Sequence, residues 1–228
     1  MDPNLSSLLK WSVENTSSAN PPRSTLAANP EDVNTLEPNT TTSTTTPSRP
    51  INPDALNALF GGPSDADLLK LSMAAILSSD PEITLDDKLV AFDNFEQLIE
   101  NLDNANNLEP LALWAPLLSC LKHEEGEIRK MAAWCVGTAV QNNEKSQERC
   151  AAMGGVPMLV ELARREAEDE AVRRKAVYAL SSACRNYQPS MDVLMKELGR
   201  QKIDASDMDA ADVVFNGLRE DAKKVAAE

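Results

Sequence analysis

Residues 84–187 carry three copies of one helical pattern, and this repeat limits the possible fold more than any other feature of the chain. The long helix of each copy ends in a similar segment, at residues 98–101, 139–142 and 183–186, so the offsets are 41 and then 44 residues. A period of this length is typical of two- and three-helix solenoid repeats, whose units bury their apolar faces only against neighbouring units. The sequence therefore predicts an all-α, armadillo-like helical repeat solenoid.

The helix before each long helix repeats as well. Residues 114–121 lie 41 positions before residues 155–162, and each segment contains a proline, Pro116 or Pro157, which we expect to start its helix. Proline suits that position because its missing N–H is one of the donors that a helix start leaves unpaired. The repeat unit is thus a short helix, a proline-led helix and a long helix.

Charge and composition exclude several classes of partner. The 228-residue chain has a formal net charge of −14 and a pI near 4.6, whereas nucleic-acid binding requires clustered cations and anionic lipid repels an acidic surface. The sequence shows neither an apolar run of about 18 residues nor a secretory signal, which predicts a cytosolic or nuclear address, and we expect the protein to be cytoplasmic. Its four cysteines form no C-x-x-C pair, so we expect buried thiols in a reducing compartment.

Three regions are predicted. Residues 1–15 form a short apolar motif, and residues 16–50, with 14 Ser or Thr and 6 Pro, form a disordered linker because they cannot bury enough surface to offset their ordering entropy. Residues 53–228 form the solenoid with capping helices at both ends, at about 67–78 and 207–228. The final helix places its apolar residues on one face: Ala211, Val214, Phe215, Leu218, Ala222 and Val225.

Two local predictions concern the first long helix. Thr84 and Asp87 have the spacing of a capping box at its start. Its exit, residues 103–107, reads Asp-Asn-Ala-Asn-Asn and is predicted to be a turn, since these side chains bond backbone groups readily.

Residues suited to catalysis are scarce. His123 is the only histidine, and a capping role near a helix end is favoured over membership of a catalytic triad. Cys120 and His123 have a C-x-x-H spacing, but no further zinc ligands follow at suitable positions. We therefore expect no enzymatic activity, no metal and no cofactor.

Two sets of side chains on the long helices are candidates for a binding surface. Asn101, Asn142 and Asn186 recur near the helix ends, where an amide can bond either a helix-end carbonyl or a partner's backbone. A row of arginines could bind carboxylates on a partner or form ordinary i,i+4 pairs along their helices, and both interpretations remain open. The row consists of Arg129, Arg173, Arg174 and Arg185.

Residues 91–108, AFDNFEQLIENLDNANNL, closely resemble the signature of the armadillo-type nucleotide-exchange factors of the heat-shock 70 chaperone, the fungal Fes and animal HspBP family. Residues 137–143 and 174–181 are similar to that family's second and third long helices, and residues 8–12 and 59–62 resemble further landmarks. The chain departs from the longer members after about Gly199, where an acidic segment stands in place of further repeats.

The resemblance implies that the chain is a monomeric co-chaperone that binds the ATPase domain of the cytosolic chaperone and accelerates ADP release, thereby promoting client release and folding. Carried over by motif, the chaperone-binding residues are Asp103, Asn104, Ala105, Asn106, Asn107, Arg129, Asn142, Arg173 and Arg174. Ala105 is expected to allow close approach of the partner. Replacing it by arginine should then abolish exchange and leave the melting curve nearly unchanged.

The N-terminal motif has two interpretations. Leu8, Leu9 and Trp11 resemble an extended apolar peptide that could mimic a client in the chaperone's substrate domain, whereas their spacing also fits a helix docked on the solenoid.

The alternative function is an armadillo adaptor for extended peptides. Such adaptors resemble one another in an asparagine ladder on successive long helices, but the corresponding positions here are Gln97, Thr138 and Ser182. Without those amides, each unpaired peptide group costs about 1–3 kcal/mol, which disfavours the adaptor.

Overall fold

The computed structural model of the chain describes residues 62–224, and every regular element within that range is a helix, as the repeat predicts. A 3₁₀ turn at Cys120–Lys122 follows the fourth α-helix. The α-helices are α1 (Asp65–Ile76), α2 (Leu85–Ile99), α3 (Leu102–Asn107), α4 (Trp114–Ser119), α5 (Gly126–Val140), α6 (Glu144–Ala152), α7 (Gly155–Arg164), α8 (Glu170–Cys184), α9 (Gln188–Glu197) and α10 (Met208–Lys223).

The three long helices α2, α5 and α8 pack side by side in the order of the repeats. The helices are parallel, because residues further along one helix contact residues further along the next. The Sγ atom of Cys135 lies 3.8 Å from the carbonyl oxygen of Phe92, and one turn later the hydroxyl of Thr138 donates to Glu96 at 2.7 Å. This arrangement is compatible with the predicted armadillo-like solenoid, and it places equivalent residues of the repeats next to one another.

The core is largely aliphatic, with a few large rings at its centre. Phe92, Phe95, Trp114 and Phe215 are fully buried, and each side chain of this size contributes about 1.5–3 kcal/mol through burial. All four cysteines are buried free thiols, as predicted. Burial raises the pKa of Cys120 to about 11 and that of Cys150 to about 12, so these thiols stay protonated and unreactive at neutral pH.

The predicted capping box at the start of α2 is confirmed. The Asp87 backbone N–H donates to the Thr84 hydroxyl at 3.2 Å, and the Thr84 backbone N–H donates to the Asp87 carboxylate at 2.9 Å. Such reciprocal bonds satisfy two of the donors that a helix start leaves unpaired.

Several predicted boundaries shift in the structure. The front helix spans Asp65–Ile76 rather than 67–78, because the Ser64 hydroxyl accepts the Asp67 N–H and starts the helix earlier. Helices α4 and α7 begin two residues before Pro116 and Pro157, so proline occupies the third helical position rather than the first. That position is still within the first turn, where no intrahelical donor is required.

The last helix, α10, runs antiparallel to α8. Arg185, at the end of α8, contacts Met208 and Asp212 near the start of α10, whereas Arg173, near the start of α8, donates to the carbonyls of Asp221 and Lys224 at the end of α10. The predicted apolar residues of this helix within the described range are buried: Ala211, Val214, Phe215, Leu218 and Ala222. α10 therefore packs against α8, but in the antiparallel direction, whereas the three long helices are parallel to one another.

Other predictions fall on residues outside the described range. The apolar motif with Leu8, Leu9 and Trp11, the linker 16–50 and the final residues 225–228 are among them, so the statements about them remain predictions. Within residues 62–224, no helix combines the length and apolarity that crossing a membrane requires.

Candidate functional site

The arginine row is largely engaged within the chain. Arg129 forms a two-pronged ion pair with Glu168, with Nε–Oε2 and Nη2–Oε1 distances of 2.6 and 2.7 Å, and its Nη1 donates to the carbonyls of His123 and Glu124, each at 2.6 Å. Arg185 pairs with Asp212. Both residues are therefore paired within the chain, but with residues distant in sequence rather than by the i,i+4 pairs expected.

Arg173 is buried and bonds three backbone carbonyls. Its donors reach Ala163 at 3.1 Å, Lys224 at 2.8 Å and Asp221 at 2.7 Å, which belong to the C-terminal ends of α7 and α10. Carbonyls at these ends lack intrahelical partners and carry partial negative charge, so a guanidinium satisfies them well. Arg174, by contrast, is 58% exposed, and within residues 62–224 its one ion pair is the i,i+4 contact with Glu170 at 3.3 Å.

The recurring asparagines act mainly as backbone caps. Asn142 and Asn186 adopt positive φ angles of 52° and 58° just after α5 and α8, a left-handed conformation that asparagine tolerates better than most residues. The Asn101 side chain instead accepts the Asp103 N–H and starts α3. Asn142 and Asn186 thus end their long helices in the same way, and both are exposed at the surface.

Residues 103–107 lie in helix α3 rather than in the predicted turn, because Asn101 caps a helix there and Ala105 packs into the core. Asp103 and Asn107 are exposed and Asn106 is half-buried, while Asn104 donates inward to Asp65 at 2.8 Å and to the Leu98 carbonyl at 3.0 Å. Ala105 is only 2% exposed. The Ala105 side chain is therefore not exposed to a partner, and the binding role carried over by motif for this position stays a prediction. An arginine there would overpack the core at about 1–3 kcal/mol, so the melting curve would not stay unchanged.

A groove crosses the long helices within residues 62–224, and we call it the long-helix groove. Its first depression, with a volume of about 390 Å³, lies between α2, α5 and α8. The lining residues are Glu96, Glu100, Trp134, Thr138, Gln141, Asn142 and Tyr178. A second depression adjoins it at Tyr178 and is lined by Lys130, Glu170, Ala171, Arg174 and Lys175.

A glycine allows the Tyr178 ring to form the wall between the two depressions. A Cβ atom on Gly137 would lie 2.4 Å from Cε1 of Tyr178, so only glycine lets the ring rest on the backbone of α5. The phenol then donates to Oε1 of Gln141 at 3.1 Å, which fixes the ring's orientation. The groove thus depends on Gly137 and Tyr178 together.

The first depression is acidic and aromatic. Glu96 is 6% exposed, and its carboxylate accepts the Thr138 hydroxyl. Burial raises the pKa of Glu96 above its ordinary value of 4.5, with the neighbouring Glu100 acting in the same direction. The nearest compensating cation is Lys175, whose ammonium lies 4.0 Å from the centroid of the Trp134 ring and whose pKa is lowered, chiefly by burial.

A prediction on stability follows from the burial of Glu96. Because the folded chain holds the proton of Glu96 to a higher pH than the unfolded chain does, ionisation of this carboxyl reduces stability as the pH rises above about 4.5. Glu96→Gln keeps an acceptor for Thr138 and removes the charge. We expect this variant to melt at a higher temperature than the wild type at pH 7, with a difference that shrinks below pH 4.5. Thermal melts followed by circular dichroism at pH 4 and 7 would measure it, and a lower melting temperature at pH 7 would contradict the prediction.

Sequence reasoning missed the aromatic part of this groove, although a signal was present. Asp93, Trp134 and Tyr178 are separated by the repeat offsets of 41 and 44 residues, so they occupy equivalent positions on α2, α5 and α8. Trp134 and Tyr178 are half-buried in the structure. An aromatic residue at the same outward position of two successive repeats would have indicated a binding face.

His123 is exposed after the 3₁₀ turn, and its Nδ1 accepts the Glu125 N–H at 3.0 Å. It does not donate to a helix-end carbonyl as a C-terminal capping histidine would. Within residues 62–224, no group of three or more His, Cys, Asp or Glu side chains is arranged to hold a metal ion.

Comparison with known proteins is consistent with a binding surface. The family model described as the nucleotide exchange factor Fes1 matches residues 5–108. The chain is 58% identical to a Gibberella zeae protein named Hsp70 nucleotide exchange factor FES1, over 96% of this chain and 97% of that protein. It is 52% identical to the Neurospora crassa protein of that name, over 98% and 99% of the two chains. The Coccidioides immitis protein of the same name is 47% identical, over 96% and 99%. The chain belongs to the Fes1 family.

Proposed function

We propose that this member of the Fes1 family is a nucleotide-exchange factor that binds the ATPase domain of an Hsp70 chaperone and accelerates the release of ADP. The observation that carries the proposal is the near full-length identity of 58% with a protein named for this activity. The exposed groove across α2, α5 and α8 gives such a partner a shaped surface with charged and aromatic groups. We also propose that the chain acts in the cytoplasm as a monomer.

The mechanism is differential affinity. A partner shifts a conformational equilibrium only by binding one state better than the other, so the chain must prefer the chaperone with its nucleotide cleft open. A coupling free energy of about 1–3 kcal/mol would weaken ADP binding about 5- to 150-fold, and bound ADP would weaken the chain's own binding by the same factor. A stack of helices with a continuous core suits this role because it resists deformation when the partner opens.

We place the contact on the long-helix groove and on the exposed part of the set carried over by motif. Asn142 lines the first depression and Arg174 the second, while Asp103 and Asn107 are exposed on α3. The other members of the set, Asn104, Ala105, Asn106, Arg129 and Arg173, are buried or half-buried, so their part in this proposal is to hold the surface in place.

Stopped-flow release of a fluorescent ADP analogue from a cytosolic Hsp70 chaperone tests the function. With the chain at micromolar concentration, we expect release to be accelerated, by about 5- to 150-fold where the weakened ADP binding is expressed wholly in the dissociation rate. Asn107→Arg, an exposed change on α3, tests the proposed α3 contact without filling the core as Ala105→Arg would. A folded chain that leaves the release rate unchanged would contradict the proposed function.

A further inference from the structure

The first depression of the long-helix groove combines two kinds of group that recognise cations. Glu96 and Glu100 from α2 supply carboxylates, and the rings of Trp134 and Tyr178 from α5 and α8 supply aromatic surface. Carboxylates bind guanidinium and ammonium groups through charge-assisted hydrogen bonds, and aromatic faces attract the same groups through their quadrupole. Such a lining is complementary to one basic side chain.

The two aromatic rings of this depression already attract a cation from within the chain, Lys175, which lines the adjoining second depression. The Lys175 ammonium lies 4.0 Å above the centroid of the Trp134 ring and 5.6 Å from that of Tyr178, both within the usual distance of a cation–π contact. Lys175 forms no ion pair within 4.0 Å among the interactions of residues 62–224, and neither do Glu96 and Glu100. The ammonium over the ring shows that this aromatic surface accepts a positive charge. Lys175 acts on Glu96 only from beyond ion-pair distance, so both carboxylates can still pair with a cation from a partner.

The remaining acceptors are positioned for a planar, multiply donating group. One oxygen of Glu96 accepts the Thr138 hydroxyl at 2.7 Å, which leaves its second oxygen for another donor. Glu100, one turn after Glu96, and Asn142, just after α5, also line the depression, and both are exposed. The guanidinium of arginine carries five N–H donors in a plane that also stacks on aromatic rings, so it matches this lining better than a point charge does.

We propose that the first depression of the groove receives a basic side chain, arginine or lysine, from the surface of the bound chaperone, held by Glu96 and Glu100 against Trp134 and Tyr178. This inference rests on the proposed exchange function, because it names the chemistry by which that partner is recognised. The first depression would thereby fix how the two proteins align at their interface. A carboxylate or an apolar group in the same place would leave both glutamates desolvated and unpaired.

Charge removal tests the pocket in the exchange assay. Glu100→Gln and the double variant Glu96→Gln/Glu100→Gln keep the shape of the lining and remove its charge, and Glu82→Gln is the matched control. Glu82 is an exposed residue in the loop before α2, about 20 Å along the chain axis from Glu96 at 1.5 Å per helical residue. We expect the chain concentration that gives half-maximal acceleration to rise about tenfold for the double variant, as the loss of a charged hydrogen-bonding partner implies, and to stay unchanged for Glu82→Gln.

A second measurement does not depend on the chaperone. The Trp134 indole N–H resonance, assigned by comparison with Trp134→Phe, is followed while the chain is titrated with N-acetyl-arginine amide, N-acetyl-lysine amide or the uncharged N-acetyl-citrulline amide. A shift with the two cations that is weakened in the double variant supports the pocket, and the larger shift identifies the preferred head group. Equal shifts with citrulline would overturn it.

The two proposals fail in different ways. A wild-type chain that binds the arginine derivative but leaves ADP release unchanged would contradict the exchange function and retain the cation pocket. Normal acceleration by both glutamine variants, with the same half-maximal concentration as Glu82→Gln, would overturn the pocket and retain the exchange function.

Discussion

Arg129→Ala is expected to lower the free energy of unfolding by about 3–5 kcal/mol, because it leaves the Glu168 carboxylate buried without its main partner. The Glu168 side chain is 2% exposed, and its other cation, Arg165, lies at 3.6 Å. The same change removes two donors from the carbonyls of His123 and Glu124. For a chain of this size the melting temperature should fall by about 10 °C, which a thermal melt followed by circular dichroism would measure.

Arg174→Ala is the matched control for Arg129→Ala. Arg174 loses only an exposed i,i+4 pair with Glu170, so we expect a change of about 0.3–0.5 kcal/mol. If Arg129 instead contacts the chaperone, as the motif implies, the alanine variant would melt like the wild type and would lose acceleration of ADP release. Loss of stability with exchange retained at temperatures where the variant is folded would assign Arg129 to the fold.

The regular parts of this fold follow from local patterns. The 41- and 44-residue offsets identify α2, α5 and α8, since each long helix repeats one apolar face against its neighbour. The capping box at Thr84 and Asp87 is equally local, because both partners lie within one turn. Predictions of this kind succeed when all the residues that interact lie within the motif itself.

The candidate site was harder to predict because its contacts join distant residues. Arg129 and Glu168 are 39 residues apart, and no feature of either segment indicates that they pair. Residues 103–107 look like a turn by composition, yet burial of Ala105 and the Asn104 contact with Asp65 favour a helix. Composition describes what a segment can do alone, whereas packing against another element decides which side chains stay exposed.

The groove was also difficult to predict from single residues, but comparing the repeats would have indicated it. Trp134 and Tyr178 would each be assigned to the core if considered singly, since aromatic residues on helices are usually buried. Comparing equivalent positions of successive repeats separates the residues that face the core from those that face outward, because the repeats pack in parallel. The Glu96 carboxylate, buried beside Thr138 at a cost in stability, is a further sign that the surface is selected for binding.

Arg173→Ala is expected to lower the free energy of unfolding by about 2–4 kcal/mol and to loosen α10 first. Three carbonyls would lose their charged donor at once: that of Ala163 in the last turn of α7, and those of Asp221 and Lys224 at the end of α10. Arg173→Lys keeps the charge, but a single ammonium cannot direct donors to three carbonyls as a planar fork does, so we expect an intermediate loss.

Hydrogen exchange measured by mass spectrometry separates this structural role of Arg173 from a contact with the chaperone. In Arg173→Ala, amides of α10 should exchange faster while those of α2 and α5 keep their protection, because opening begins in the element whose contacts are lost. Arg219→Ala is the control on α10, since the side chain of Arg219 bonds only that of Asn216, at 2.8 Å, within residues 62–224. Unchanged protection of α10 in Arg173→Ala, together with slower ADP release, would show that Arg173 serves the partner. Faster exchange confined to α10 would show instead that Arg173 holds this antiparallel helix on the stack, because its guanidinium bonds the C-terminal ends of both α7 and α10.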